Sequence, residues 1–134
     1  MQLERIPPHQ VIAVWPKVLP FLAAAFEHSA GDYSLDHLRA FLTAGLQSLL
    51  VFVEDGEAHG ALTIGTVSYP NKSVAFVTAV GGHCLVTPDH AEQLFAWCRS
   101  NGYTHIQGAA YEAVARLWRH IGAREIYRTV EISL

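Results

Sequence analysis

The chain predicts a mixed α/β fold, a central sheet with helices on both faces, with elements in the order β-α-α-β-β-β-α-β-α-β. Three observations carry this. Three strongly apolar stretches in mid-chain are joined by two short turns, Asp55-Gly56 and Tyr69-Pro70-Asn71-Lys72. Apolar residues recur at helical spacing on either side of that meander. The last 32 residues read as strand, helix and strand, a crossover that adds a parallel neighbour to an antiparallel meander.

Residues 2–6 form a short first strand, stopped by Pro7-Pro8. Val11, Val14, Trp15, Val18, Leu19, Leu22 and Phe26 then make a helical stripe interrupted by Pro16 and Pro20. An interior proline costs about 3 kcal/mol. The expectation is therefore a short helix ending near Val14, a break at Trp15-Pro16, and a second helix with Pro20 in its first turn. Gly31 ends this region. Ser34 is a good N-cap with Asp36 in the first turn, Leu35, Leu38, Phe41 and Leu42 supply an apolar face, and Gly45 suits the stop.

Residues 49–54 are almost continuously apolar, as in a strand covered on both faces. Asp55-Gly56 is a strong hairpin signal, and its partner strand runs over about 58–67. Residues 73–80 alternate Val74, Phe76, Thr78 and Val80 against Ala75, Val77 and Ala79. Gly81-Gly82 ends the meander. Thr87-Pro88-Asp89 opens a helix as N-cap, N1 proline and first-turn acid. Ala91, Leu94, Phe95 and Cys98 form its inner stripe, and Asn101-Gly102 ends it. A strand over 103–106, a helix over 111–121 and a long strand over 124–134 complete the chain.

At 134 residues this reads as one domain, residues 1–134, burying around two thirds of its unfolded surface. Apolar residues are 51% and charged residues 16%, which argues for a filled core and against disorder. A formal charge of −3 gives no basic face for nucleic acid. Two cysteines are too few for a disulfide framework and fit reduced thiols in a cytoplasmic compartment. The first five residues lack an apolar signal core, no apolar run approaches transmembrane length, and no membrane partner is expected.

The run Arg116-Leu117-Trp118-Arg119-His120-Ile121-Gly122-Ala123-Arg124 resembles the closing segment of GNAT acyltransferases, R-L-Y-x-x-x-G-F followed by a strand. The element order is the GNAT order too, over essentially the whole chain. The resemblance implies an acyl-CoA site in a V-shaped opening between the fourth and fifth strands. It further implies a pyrophosphate loop of the form R/Q-x-x-G-x-G/A after the fourth strand, a glutamate base near that strand, and a tyrosine acid on the last helix. At those positions this chain departs. The family's tyrosine falls on Trp118 and its phenylalanine on Ala123. The loop reads Val80-Gly81-Gly82-His83-Cys84-Leu85-Val86-Thr87-Pro88, without the arginine or glutamine and without G-x-G. Pro88 removes a donor from the helix start and Asp89 puts negative charge where a pyrophosphate sits. Residues 73–80 hold no carboxylate, and an indole is no acid near neutral pH.

Candidates for the remaining roles follow from position. Tyr111 and Tyr127 flank the last helix and stand in as acids, and Val80, Gly81, Gly82 and Leu85 are the backbone candidates for an acyl-CoA. Trp118, expected at the cleft mouth beside Gly81-Gly82, and Trp97 and Arg116 are candidates for a partner surface. His83, Cys84, His90 and Cys98 match no common zinc spacing, so no metal is expected. A Cys84 nucleophile beside His83 or His90 lacks a third orienting group.

The leading expectation is a GNAT-fold protein without the usual acetyl-CoA chemistry, acting through a protein partner. It is similar in compactness to small GNAT-like proteins of tailed phages, some of them associated with the virion or its assembly. Its place would then be the host cytoplasm or the virion. The alternative is an active acetyl-CoA-dependent N-acyltransferase of an amine, and a third reading is a small-ligand or metal-binding domain. Oligomeric state is left open.

Overall fold

The computed structural model describes residues 1–27, 29–85 and 87–134. Five strands lie side by side in chain order: β1 (Gln2–Ile6), β2 (Gln47–Glu54), β3 (Glu57–Tyr69), β4 (Lys72–Gly82) and β5 (His105–Gly108). β1 to β4 pair antiparallel, and β5 joins β4 in parallel, so the sheet is mixed. Four helices accompany it: α1 (Val11–Phe26), α2 (Leu35–Thr43), α3 (Pro88–Ser100) and α4 (Glu112–His120).

β2 shows why its sequence is apolar throughout. Leu49 and Val51 face α1 and α2, packing with Val11, Trp15, Val18, Leu22, Leu38 and Leu42. Leu50 and Phe52 face the other side, with Leu94 and Cys98 of α3. The two helical layers thus cover opposite faces of one sheet, each side chain on a period of two. Asp55 and Gly56 close the β2–β3 hairpin at φ 53° and 76°, the paired positive angles of a type I′ turn. Ser34 caps α2 through its hydroxyl, with His37 bonding back to the Ser34 N–H. Thr87 caps α3 in the same way, accepting from the His90 N–H.

The structure departs from the expectations in five places. α1 does not break at Trp15-Pro16 but runs unbroken through Pro16 and Pro20. Both prolines, with Ile12, lie on the exposed side, opposite the buried stripe of Val11, Trp15, Val18 and Leu22. The carbonyls they leave unbonded, four residues earlier, therefore meet water, and a helix convex toward solvent accommodates the rings. Pro8–Phe26 is also long and apolar enough, by length and composition, to cross a membrane, contrary to the expectation. Here its stripe is packed on the sheet.

Thr78 is the third departure. Thr63 pairs with Ala79 and Ile64 with Val77, which leaves Thr78 as a bulge. The bulge reverses the alternation: Ala75 and Val77 face α3, whereas Ala79 faces α1 and Val80 returns to the α3 side. Last, the strand expected over 124–134 does not form. Residues 123–134 follow α4 without regular secondary structure and are exposed, and the sheet has no strand beyond β5 among the described residues. The fifth strand also starts two residues later than expected, because the Tyr103 N–H closes α3 on the Cys98 carbonyl and Thr104 binds Ser73.

Candidate active-site cleft

β4 and β5 pair only from Val74–His105 to Val77–Gly108. Beyond that point β4 continues over 78–82 paired to β3 only, while the chain after β5 leads into α4. The result is an opening between the fourth and fifth strands, where the resemblance places it. The N–H of His83 donates to His59 at 2.8 Å. Alternation along an antiparallel ladder then directs Ala79 and Gly81 toward β3, and turns the main chain of Val80 and Gly82 to the open edge.

A polar group not anticipated from sequence sits at the bulge. Thr63 is fully buried, and its Oγ1 lies 2.6 Å from Oγ1 of Thr78. The Thr78 hydroxyl donates to Oε1 of Gln47 at 2.7 Å, so the Thr63 hydroxyl supplies the proton between the two threonines. Tyr33 reaches the same spot, its hydroxyl 3.4 Å from the Thr78 carbonyl. Its ring stands edge-on to Phe26 and Phe41. Thr63 and Thr78 were the available signal: single hydroxyls in otherwise apolar strands, each needing a partner once buried.

The glycine pair has a packing role. A Cβ on Gly81 would run into the Phe21 carbonyl of α1, and one on Gly82 would lie 2.7 Å from the His59 carbonyl and from Cδ1 of Phe21. Helix backbone thus rests directly on the end of β4. After it the chain holds Cys84 with Sγ 3.3 Å from the Gly81 carbonyl, and Leu85 takes a left-handed φ of 59°. Val86 of this loop lies outside the described residues. At the α3 start the Thr87 hydroxyl is engaged by His90, Pro88 has no N–H, and Asp89 adds an acid. An anion meets a poor cradle there.

The other candidates divide into two groups. Tyr111 is the N-cap of α4 and lines a cleft of about 580 Å³ together with Gly108, Trp118 and Tyr127. The structure therefore brings Tyr111 and Tyr127 to one cavity, next to the β5 side of the opening. Val80, Gly81, Gly82 and Leu85 are not among its walls. Trp118 is not beside Gly81-Gly82: its indole lies across Gly108 and joins the α3-side core. Trp97 is half-buried against Tyr103, with ring centroids 6.2 Å apart. Arg116 is exposed. Along the same helix the Arg119 guanidinium binds Glu112 and holds its carboxyl below the usual range.

Burial pushes the Cys84 thiol up to about 12 and that of Cys98 to about 11, so neither is a thiolate nucleophile near neutral pH. Cys98 is part of the α3-side core, and the His90 ring lies tilted against Phe52, with centroids 5.1 Å apart. Among the described residues no three His, Cys, Asp or Glu side chains form a metal-holding group.

Several solved structures share this architecture. The aminoglycoside acetyltransferase meta-AAC0020 from an uncultured soil metagenomic sample, in complex with sisomicin, aligns with a TM-score of 0.73 at 14% identity, over 99% of this chain and 95% of that one. A ribosomal-protein-alanine N-acetyltransferase from Brucella melitensis biovar Abortus 2308 aligns at 0.72 and 12%, over all of both chains. The aminoglycoside antibiotic 6'-N-acetyltransferase AAC(6')-IG from Acinetobacter haemolyticus aligns at 0.72 and 16%, over 100% and 98%. No protein-family model and no curated protein matches the sequence. At such identities the likeness is one of fold, and it spans the whole chain: this protein has the GNAT acyltransferase fold.

Proposed function

We propose that the chain is an N-acyltransferase that takes an acyl-CoA thioester between β4 and β5 and passes the acyl group to an amine. The observation that carries this is the stretch of β4 beyond Val77, which stays paired to β3 but has no partner on its β5 side. Its open edge offers main-chain donors and acceptors at Val80 and Gly82 to an extended amide-bearing arm, which adds to the sheet as a strand would. Full-length likeness to acetyltransferases supports the same reading.

In the reaction the amine lone pair attacks the thioester carbonyl, the C–S bond breaks, and the thiolate leaves with a proton. Tyr111 or Tyr127 supplies that proton, since both hydroxyl-bearing rings line the cleft beside β5; the nitrogen, cationic after attack, releases its surplus proton to water, and the tyrosinate regains one from water. β4 carries no carboxylate, so the amine arrives already neutral or loses its proton to water. Pyrophosphate contributes little at Pro88 and Asp89, and the affinity for CoA is correspondingly modest.

The test is a thermal-shift titration with acetyl-CoA, where a binder rises in Tm by mass action, followed by thiol release with a panel of amines that includes aminoglycosides. Loss of turnover in Tyr111→Phe or Tyr127→Phe, with the shift retained, identifies the acid. A flat titration up to millimolar acetyl-CoA rejects the proposal.

One observation favours a second reading, a non-catalytic GNAT-fold protein working through protein contacts. The α3 start combines a missing N–H at Pro88 with the Asp89 charge, a combination adverse to CoA. A virion- or assembly-associated role in a tailed phage is the narrower form of that reading, resting on compactness and altered motifs. A flat titration together with one stoichiometric co-purifying protein supports it.

A further inference from the structure

Given the acyltransferase reading, on which this rests, we propose that the acyl acceptor is an extended amine with an anionic far end. It is a short peptide whose free carboxylate is held by Lys72 and Arg124.

Alternation along the sheet places the site. Ala75 and Val77 of β4 and Ile106 of β5 pack in the α3-side core. Phe76 and Gln107, which pair with each other, therefore face the other way. Lys72 shares the parity of Phe76, and Tyr69 lies directly opposite Lys72 in the β3–β4 ladder. The face away from α3 thus carries Tyr69, Lys72, Phe76 and Gln107. Two clefts lie over it. One of about 490 Å³ is lined by Tyr69, Lys72, Gln107, Arg124 and Tyr127. The other, of about 580 Å³, is lined by Phe76, Gln107, Tyr111, Arg124 and Tyr127. Because they share Gln107, Arg124 and Tyr127, the clefts adjoin and make one trough from the β3–β4 turn to the two tyrosine proton donors.

Charge selects the occupant. In the larger cleft Glu112 is bound to Arg119 and Glu125 to Arg128, so each of these acids already has a cation. Arg124 belongs to neither pair. The smaller cleft has no carboxylate in its lining, yet it holds both Lys72 and Arg124. Among the described residues neither forms an ion pair. Two cations in one cleft repel each other, and an anion between them relieves the repulsion and gains from both. Lysine supplies a point charge, and arginine a planar fork that matches a carboxylate with two parallel hydrogen bonds. Tyr69 and Tyr127, 49% and 66% exposed, leave ring surface for the body of the occupant.

Spacing sets its length. β4 advances about 17 Å from Lys72 to Val77, at ~3.3 Å per residue. An amine at the opening and an anion at Lys72 stand up to that far apart. In an α-amino acid the two groups share one carbon, whereas a chain of up to about five extended residues spans the trough.

Isothermal titration calorimetry tests this with alanine peptides from the dipeptide to the pentapeptide, each as free acid and as C-terminal amide, with no acyl-CoA present. The longer free acids are expected to bind at least about tenfold tighter than their amides, a gap that narrows as salt is raised. Lys72→Gln and Arg124→Gln should each close most of that gap. Lys17→Gln, on the exposed side of α1, should leave it intact. Melting temperatures of the variants check that the fold is kept, and the acid–amide comparison on the wild type needs no variant at all. Equal affinity for acid and amide, or a gap that survives in both variants, overturns the proposal. So does a failure of every peptide to bind. These results are separate from a flat acetyl-CoA titration, which rejects the acyltransferase itself.

Discussion

Trp118 and Gly108 make the contact that ties α4 to the sheet: a Cβ on Gly108 would fall 2.8 Å from Cη2 of the indole. α4 buries no residue fully, so this half-buried ring is its main attachment. Trp118→Ala is expected to lower the unfolding free energy by about 3 kcal/mol, the lower end for removing a packed aromatic. Gly108→Ala should cost about 1–3 kcal/mol, through crowding of the ring. Urea unfolding of both variants measures this. A Trp118→Ala protein as stable as the wild type would show that the indole does not anchor the helix.

Gly81 and Gly65 both lie in strands but differ in what surrounds them. The neighbour of Gly81 is backbone, the Phe21 carbonyl, which cannot turn aside as a side-chain tip can. Gly65 has its nearest atoms at 3.8 Å, ordinary contact distance. Gly81→Ala is therefore expected to cost more than about 3 kcal/mol or to prevent folding, and Gly65→Ala to stay within about 1 kcal/mol. Equal stability in the two variants would remove the role assigned to the α1–β4 contact.

What the sequence made readable were features with local causes. The Asp55-Gly56 hairpin, the Ser34 and Thr87 caps and the continuously apolar β2 each follow from a few neighbouring residues. The departures have non-local causes. Pro16 is tolerated because residues far along the chain decide which side of α1 faces water. The Thr78 bulge depends on the pairing of β3 with β4, and nothing in Val77-Thr78-Ala79 announces it. Trp118 found Gly108 and not Gly81-Gly82 because α1, through Phe21, already occupies the glycine pair. Strand propensity over 124–134 was legible, but a strand needs a neighbour, and among the described residues none pairs with the tail. The opening between β4 and β5 followed from the resemblance, whereas the Gln47–Thr63–Thr78 group needed the bulge to bring its members together.

Pro16 offers a direct measure of what an exposed helical proline costs. Its ring removes the hydrogen bond to the carbonyl of Ile12, a residue on the exposed side of α1. Hydration recovers part of the loss, and the stiff ring also restricts the unfolded chain. Pro16→Ala should therefore stabilise by only about 1 kcal/mol, well short of the ~3 kcal/mol of a buried interior proline. Chemical denaturation gives the value. A gain near the full penalty would mean that the Ile12 carbonyl is left unsatisfied in the wild type.

The two thiols set a pH dependence whose sign follows from their burial. Desolvation raises Cys84 from 9.0 to about 12 and Cys98 from 9.0 to about 11. In the unfolded chain both lose their protons near pH 9, whereas the folded chain keeps them. The folded state then binds more protons, and stability falls as pH rises. The contribution is complete below pH 9 and is lost progressively between pH 9 and 11 to 12. Tyrosine and lysine titrate in the same window, so the informative quantity is a difference. The double variant Cys84→Ala, Cys98→Ala is expected to lose less stability than the wild type between pH 9 and 11. Alkylation gives a second reading: below pH 9 the thiolate fraction, and with it the reaction, should be lower than for an exposed cysteine by about a hundredfold at Cys98 and about a thousandfold at Cys84. Parallel stability curves for wild type and variant, or rapid alkylation of Cys84, would show that its sulfur is open to solvent rather than closed in against Gly60 and the Gly81 carbonyl.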